Sequence, residues 1–178
     1  MDEALRRLIE GMYGDIAALM AVRDRFTAAG LGREFERILV EYHLAAYFAG
    51  RGDDELSPRA DLLMGAAISA EIGYSRAFLG KIDTLSDAQA TARALQYTGA
   101  IKASYSKGKH WLWDLPFHAG DGGTPCLTNC RCRWDVQVQD LEELDANAYW
   151  RVTAGESCAG CVARAKGNPY VFKGGALQ

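Results

Sequence analysis

The 178-residue chain has no cysteine before residue 126, only four prolines and only three histidines. It also lacks a long apolar run. Uncharged stretches such as Leu62–Ala70 fall well short of the ~20 apolar residues a membrane span needs, so no spanning segment is expected. There is no basic excess either: 14 basic residues face 16 acidic ones up to Leu115, and six face seven beyond it. Phosphate-tracking proteins cluster Lys and Arg, so nucleic acid is not expected as the main ligand, although a local DNA contact stays open. The opening Met1-Asp2-Glu3-Ala4 is acidic where a secretory signal would be basic and then apolar, which points to the cytoplasm. No GxxxxGK[ST] phosphate loop, GxGxxG fingerprint, GxSxG elbow or HExxH helix occurs. At 49% hydrophobic and 24% charged residues the chain is globular and can bury a core, so disordered, collagenous and low-complexity classes are excluded.

Helical periodicity dominates the first two thirds. Leu5, Leu8, Ile9, Met12, Ile16, Leu19 and Met20 recur at three- and four-residue steps and predict a helix from about Asp2 to Ala28. Gly30 and Gly32 are expected to end it. Phe35, Ile38, Leu39, Tyr42 and Ala46 then renew the stripe up to Gly50-Arg51-Gly52. Ser57-Pro58 supplies a cap and a first-turn proline for a third helix reaching about Ile82. The small-residue run Gly65–Ala70 within it would let a neighbouring helix approach closely. Ser86-Asp87-Ala88-Gln89 fits a capping box for a fourth helix to about Ser106, with Tyr97, Ile101 and Tyr105 on one face. Pro116 closes this region, and Trp111 and Trp113 are placed to anchor the tail to it.

The composition then turns to Gly, Pro, Thr and Cys. The spacing is Cys126-x3-Cys130-x-Cys132, a gap of 25 residues, then Cys158-x2-Cys161. Two close groups of thiols separated by a hairpin's length are what a tetrahedral Zn²⁺ site needs, since each group supplies ligands from a tight turn. Trp134, Val136 and Val138 alternate as a strand, and Tyr149–Thr153 would return antiparallel after a turn at Asp145-Ala146-Asn147. An odd cysteine count in a reducing compartment disfavours disulfides. Five candidates compete for four places, Cys126 and Cys132 for the last of them. An all-thiolate site is closed and therefore structural. The zinc-deaminase pattern fails, because no His-x-Glu precedes Pro125-Cys126 and the next cysteine comes four positions on.

Leu115 to Trp134, containing Gly120-Asp121-Gly122-Gly123-Thr124-Pro125-Cys126 and Asn129-Cys130-Arg131-Cys132, resembles the C-terminal signature of the phage head morphogenesis family, the Mu F-like minor head proteins. Tyr149-Trp150-Arg151, Cys158-Ala159-Gly160-Cys161 and Asn168-Pro169-Tyr170 resemble the cysteine-containing tails of the same family. The resemblance covers about residues 90–172. It implies a virion component made in the bacterial cytoplasm, associated with portal and inner capsid proteins during head assembly, and no catalytic residue. It also implies a structural role for Cys126, Cys130, Cys132, Cys158 and Cys161.

The expectation is therefore a mainly α protein. Residues 1–114 form a bundle of about four helices and residues 115–178 a zinc-stabilised β-hairpin module, acting as a non-enzymatic minor head protein, with self-association left open. Two other readings are open. One is a prophage-associated zinc-dependent or toxin-like enzyme using His118 and Asp121 as an acid–base pair. The other is a nucleic-acid-binding zinc module using Lys102, Lys107, Lys109, Arg131 and Arg133.

Overall fold

A computed structural model describes residues 2–53, 58–126, 130–153, 155 and 157–178, without the side chains of 58–61 and 63. Helix α1 (Glu3–Ala21) starts where the Asp2 carboxylate accepts the Ala4 N–H at 2.9 Å. It buries Leu5, Met12, Ile16, Leu19 and Met20, the stripe that its spacing predicts. The break comes earlier than Gly30. A 3-10 turn at Arg23–Arg25 redirects the chain, and Thr27 caps α2 (Ala28–Arg51) by accepting the Gly30 N–H at 3.1 Å. Both glycines expected to end the first helix thus lie inside the second. Their cost in helix propensity, ~1 kcal/mol each, is offset by the cap and by burial of Leu31, Phe35, Ile38 and Leu39. Gly52, in the left-handed region at φ 84°, ends α2.

Helix α3 (Pro58–Leu79) follows, and the expected Ser57 cap lies outside the described residues. Helix α4 (Asp87–Leu95) opens with the complete capping box, Ser86 Oγ to the Gln89 N–H at 3.3 Å and Gln89 Oε1 to the Ser86 N–H at 3.0 Å. The single fourth helix expected to Ser106 is instead two, because a 3-10 turn at Gln96–Gly99 separates α4 from α5 (Ile101–Lys109). Thr98 reinforces that turn by donating its hydroxyl to the Leu95 carbonyl at 2.8 Å.

The closest helix approach is not at the small residues of α3, where Gly65 has open space around it. It lies between α2 and α5. A Cβ on Gly50 would sit 2.1 Å from the Tyr105 carbonyl oxygen, and one on Gly108 would sit 1.9 Å from that of Tyr47. Only glycine lets these two backbones touch. Around this contact, α1, α2, α4 and α5 enclose a core of Met12, Ile16, Phe35, Leu39, Ala90, Ala94 and Ile101.

Beyond α5 the tryptophans divide their work. The Arg51 guanidinium lies 4.3 Å over the Trp111 ring, which ties the connector to α2. Trp113 enters a second core and donates its indole N–H to the Leu144 carbonyl at 3.3 Å. Strands β1 (Arg133–Asp140) and β2 (Asp145–Arg151) form the expected antiparallel hairpin, with Trp134 opposite Trp150 and Val136 opposite Ala148. The turn, however, is at Leu141–Leu144. Asp140 Oδ1 accepts the N–H groups of Glu142 and Glu143, while Asp145-Ala146-Asn147 belong to β2, because Ala146 and Ala148 are buried on its inner face. Helix α6 (Ala159–Ala165) and strands β3 (Tyr170–Lys173) and β4 (Ala176–Leu177) complete a four-stranded sheet of order β1-β2-β3-β4, more than the hairpin expected.

This second core is aromatic. Phe117 stacks on Trp134 with centroids 4.9 Å apart, Trp150 and Tyr170 meet both rings edge-on, and Phe172 is fully buried. Arg164 lays its guanidinium 4.1 Å over Phe117. Where β3 stops short, the Asn168 side chain bonds both the N–H and the C=O of Trp150.

Candidate metal centre

Three chain segments bring the five cysteines together. Cys126 ends the glycine-rich loop, where Thr124 Oγ1 lies 3.1 Å from its sulfur. Cys130, Cys132 and Trp134 fall at alternate positions leading into β1, so an extended chain turns all three to one side, and all three are buried. Cys158 occupies the N-cap of α6 and Cys161 its first turn, the i, i+3 spacing that puts both on one face.

Cys161 is at the centre, with no exposed surface. Its sulfur lies 3.5 Å from that of Cys130 and 3.8 Å from that of Cys126, and Cys126 lies 3.5 Å from Cys158. These are free thiols, far beyond a bonded S–S length of about 2.05 Å. They instead approach the ~3.8 Å edge of a tetrahedron built on Zn–S bonds of about 2.3 Å. The sulfurs of Cys126, Cys130 and Cys161 all lie within 4.8 Å of one another, and the cluster can hold a metal ion. Cys132 also meets Cys130 and Cys161, but its sulfur is engaged by Ser157 Oγ at 3.3 Å.

Electrostatics divide the thiols. Burial pushes Cys130 up to about 11, and burial together with the surrounding thiols drives Cys161 higher still. Cys158 is pulled down to about 6, chiefly by the Cys161 backbone N–H and then by Cys126. Burial raises Cys132, but the Ser157 hydroxyl and the Thr153 backbone more than offset it, leaving it lowered. A thiolate is a metal ligand and a thiol is not. A bound cation would therefore draw the protons off the buried members of this set.

The other candidate residues are spent elsewhere. His118 points its Nδ1 at Ser106 Oγ, 2.9 Å away, and not at the Asp121 side chain. The Asp121 carboxylate accepts the backbone N–H groups of His118 and Gly123 and faces Arg164 at 3.6 Å, so it shapes the loop. Burial holds the His118 imidazole down to about 3, neutral at any ordinary pH.

The five basic residues are divided among three places. Lys107 lies toward Glu71 and Asp121, and Lys102 toward Cys130 and Arg131. Lys109 and Arg133 line a separate groove, where Arg151 is paired with Asp135. The Ser157–Cys132 contact and the placement of Lys102 near Cys130 carry no motif of their own. Ser157 adjoins Cys158 and is traceable from that alone, but Lys102 is 28 positions from Cys130 and only the packing of α5 on the module brings them together.

Comparison with protein-family models, curated proteins and solved structures yields no match.

Proposed function

We propose that the chain is a non-enzymatic minor head protein of a tailed phage or prophage, whose C-terminal module is fixed by one structural zinc ion. The observation that carries this reading is the convergence of thiols from the glycine-rich loop, the approach to β1 and the start of α6. The sulfurs of Cys126, Cys130 and Cys161 lie within 4.8 Å of one another and that of Cys158 lies 3.5 Å from Cys126, and such a thiol set suits Zn²⁺, because soft thiolates favour it and the ion imposes no other geometry. Cys126, Cys130, Cys158 and Cys161 are the ligand set: they are linked edge to edge at 3.5–3.8 Å, whereas Cys132 is held by Ser157. With four thiolates the ion has no open position for substrate, so its role is to cross-link.

The head assignment rests on the resemblance of residues 115–134 and of the second cysteine pair to the Mu F-like tails. In this reading the zinc module braces the end of the bundle, and the helical faces meet portal, capsid or further copies of the chain.

Native mass spectrometry with and without chelator tests the metal. One zinc per chain is expected, lost in Cys161→Ser together with protease resistance of the tail, while bundle helicity persists. A metal-free chain with five reactive thiols would overturn the module. Proteomics of purified particles tests the location: the chain should be present in few copies per head, and its absence from particles would overturn the head reading.

A further inference from the structure

A cleft of about 590 Å³, apart from the thiols, opens between α3, the end of α4 and the Asp121–Gly122 loop. Its volume falls in the range of small-molecule sites, roughly 300–1,000 Å³. Glu71, Tyr74 and Phe78 stand at i, i+3 and i+7 on one face of α3. Arg93 and Tyr97 stand at i and i+4 opposite them, across the 3-10 turn that interrupts the fourth helix. That turn aims Tyr97 between Phe35, edge-on at 5.3 Å, and Phe78 at 6.1 Å, so one aromatic wall is rigid. The other ring, Tyr74, is 67% exposed.

Two opposite charges line this cleft without meeting. No hydrogen bond or close ion pair joins Glu71 to Arg93 among the described residues, and the cation that faces Glu71 is Lys107. The Asp121 carboxylate is occupied by its own loop, so Glu71 supplies the free acceptor. Lys107 lies behind, toward both carboxylates, and burial lowers its pKa while raising that of Glu71. A desolvated carboxylate without donors is costly. The cost is recovered if a ligand brings adjacent N–H groups to it. A ligand that also stacks on tyrosine and carries an anion to the guanidinium would satisfy every idle group in the cleft.

We infer that the cleft binds a guanine nucleotide, with the base against Tyr74 and Tyr97, its N1–H and N2–H₂ edge on Glu71, and its 5′-phosphate on Arg93. Guanine is singled out because it offers two neighbouring donors to the two oxygens of one carboxylate. Adenine sets one donor beside an acceptor, and that acceptor would face the carboxylate.

Calorimetric titration of the full chain with guanosine 5′-monophosphate tests this. Saturable binding is expected, with adenosine 5′-monophosphate and unphosphorylated guanosine each weaker by roughly tenfold, about 1.4 kcal/mol. Glu71→Gln should erase the preference for guanine, and Arg93→Ala the preference for the phosphate. Arg93 and Tyr74 are exposed, so Arg93→Ala and Tyr74→Ala keep the fold readable by circular dichroism. A single-stranded oligonucleotide beginning with a 5′-phosphorylated guanosine separates the two sources of the group. Binding equal to or tighter than the monophosphate assigns a strand end, and weaker binding assigns the free nucleotide. No saturation at millimolar ligand, equal affinity for adenine, or affinity unchanged in both Glu71→Gln and Arg93→Ala would overturn the inference.

Discussion

The bundle and the tail module solve the same problem with different materials. The bundle spreads its stability over long stripes of Leu, Ile, Met and Ala, and its tightest contact is the glycine-to-glycine crossing of α2 and α5. The module, with far fewer residues, concentrates its core in Trp113, Trp134, Trp150, Phe117, Tyr170 and Phe172, with the cysteine cluster at one end. A small unit buries too little apolar surface to be secure by itself, and a metal cross-link or large aromatic residues make up the difference. One region thus depends on backbone fit along helices, and the other on a few side chains meeting at a point.

The sharpest way to break that contrast is Gly108→Ala. The added methyl would lie 1.9 Å from the Tyr47 carbonyl oxygen and 3.0 Å from the Arg51 N–H nitrogen. Backbone cannot yield as a rotamer does, so a loss of about 3 kcal/mol or more is expected, at the upper end of overpacking costs. Thermal melting followed by helix signal should show it, while zinc stoichiometry holds. The Cys161→Ser variant is the mirror image, losing metal and keeping helix. If either substitution abolished both readouts together, the two regions would be one cooperative unit.

The same contrast explains what was legible in the sequence. Stripes such as Leu5–Met20 and the Ser86–Gln89 box are local patterns, and they place the starts of α1 and α4 correctly, although both helices end earlier than expected. Gly30 and Gly32 mislead because a competing local signal, the Thr27 cap, lies three residues upstream of Gly30. The turn at Gln96–Gly99 carries no sequence punctuation beyond Gly99 itself, since Tyr97 and Ile101 preserve the helical spacing across it. In the module the cysteine spacing announces a cluster, and alternation announces β1. The turn at Asp140, helix α6 and strands β3 and β4 depend on contacts with the aromatic core, which no spacing reveals. The cleft that gathers Glu71 and Arg93 is silent in the sequence for the same reason.

A second, smaller difference is acid sensitivity. Burial depresses His43 and His110 to about 4 and His118 to about 3, against an ordinary value of 6.5. All three are neutral in the folded chain and take up protons only on unfolding over the intervening range. Above pH 6.5 they leave stability unchanged. As pH falls from 6.5 toward 4 the unfolded state gains protons, and each histidine removes about 1.4 kcal/mol per pH unit. His43 belongs to the bundle, with Nδ1 on Ser104 Oγ at 2.7 Å and a buried Nε2 that has no partner among the described residues. In urea titrations read by helix signal between pH 7 and pH 5, His43→Gln should flatten the slope of stability against pH relative to the parent chain. An unchanged slope would assign the acid sensitivity to the other two histidines or to loss of the metal.

The smallest expected effect belongs to Cys132→Ser, and its smallness is the test. Cys132 is only 5% exposed and sits among the other thiols, so position alone would make it as important as Cys126. Its sulfur, however, has a partner in Ser157 Oγ, and Ser157 is itself fixed by the Thr153 N–H at 2.9 Å and carbonyl at 2.9 Å. A serine hydroxyl keeps that hydrogen bond at nearly the same volume, so the cost should stay within about 1 kcal/mol. If the proposed zinc is bound, its stoichiometry should remain one per chain, whereas Cys126→Ser removes one of the four proposed ligands and should release the ion to a mild chelator. A reversal, with Cys132→Ser losing zinc and Cys126→Ser retaining it, would move the fourth ligand to the other side of Cys161. Cys126 would then be the spare thiol, held by Thr124 as Cys132 is by Ser157.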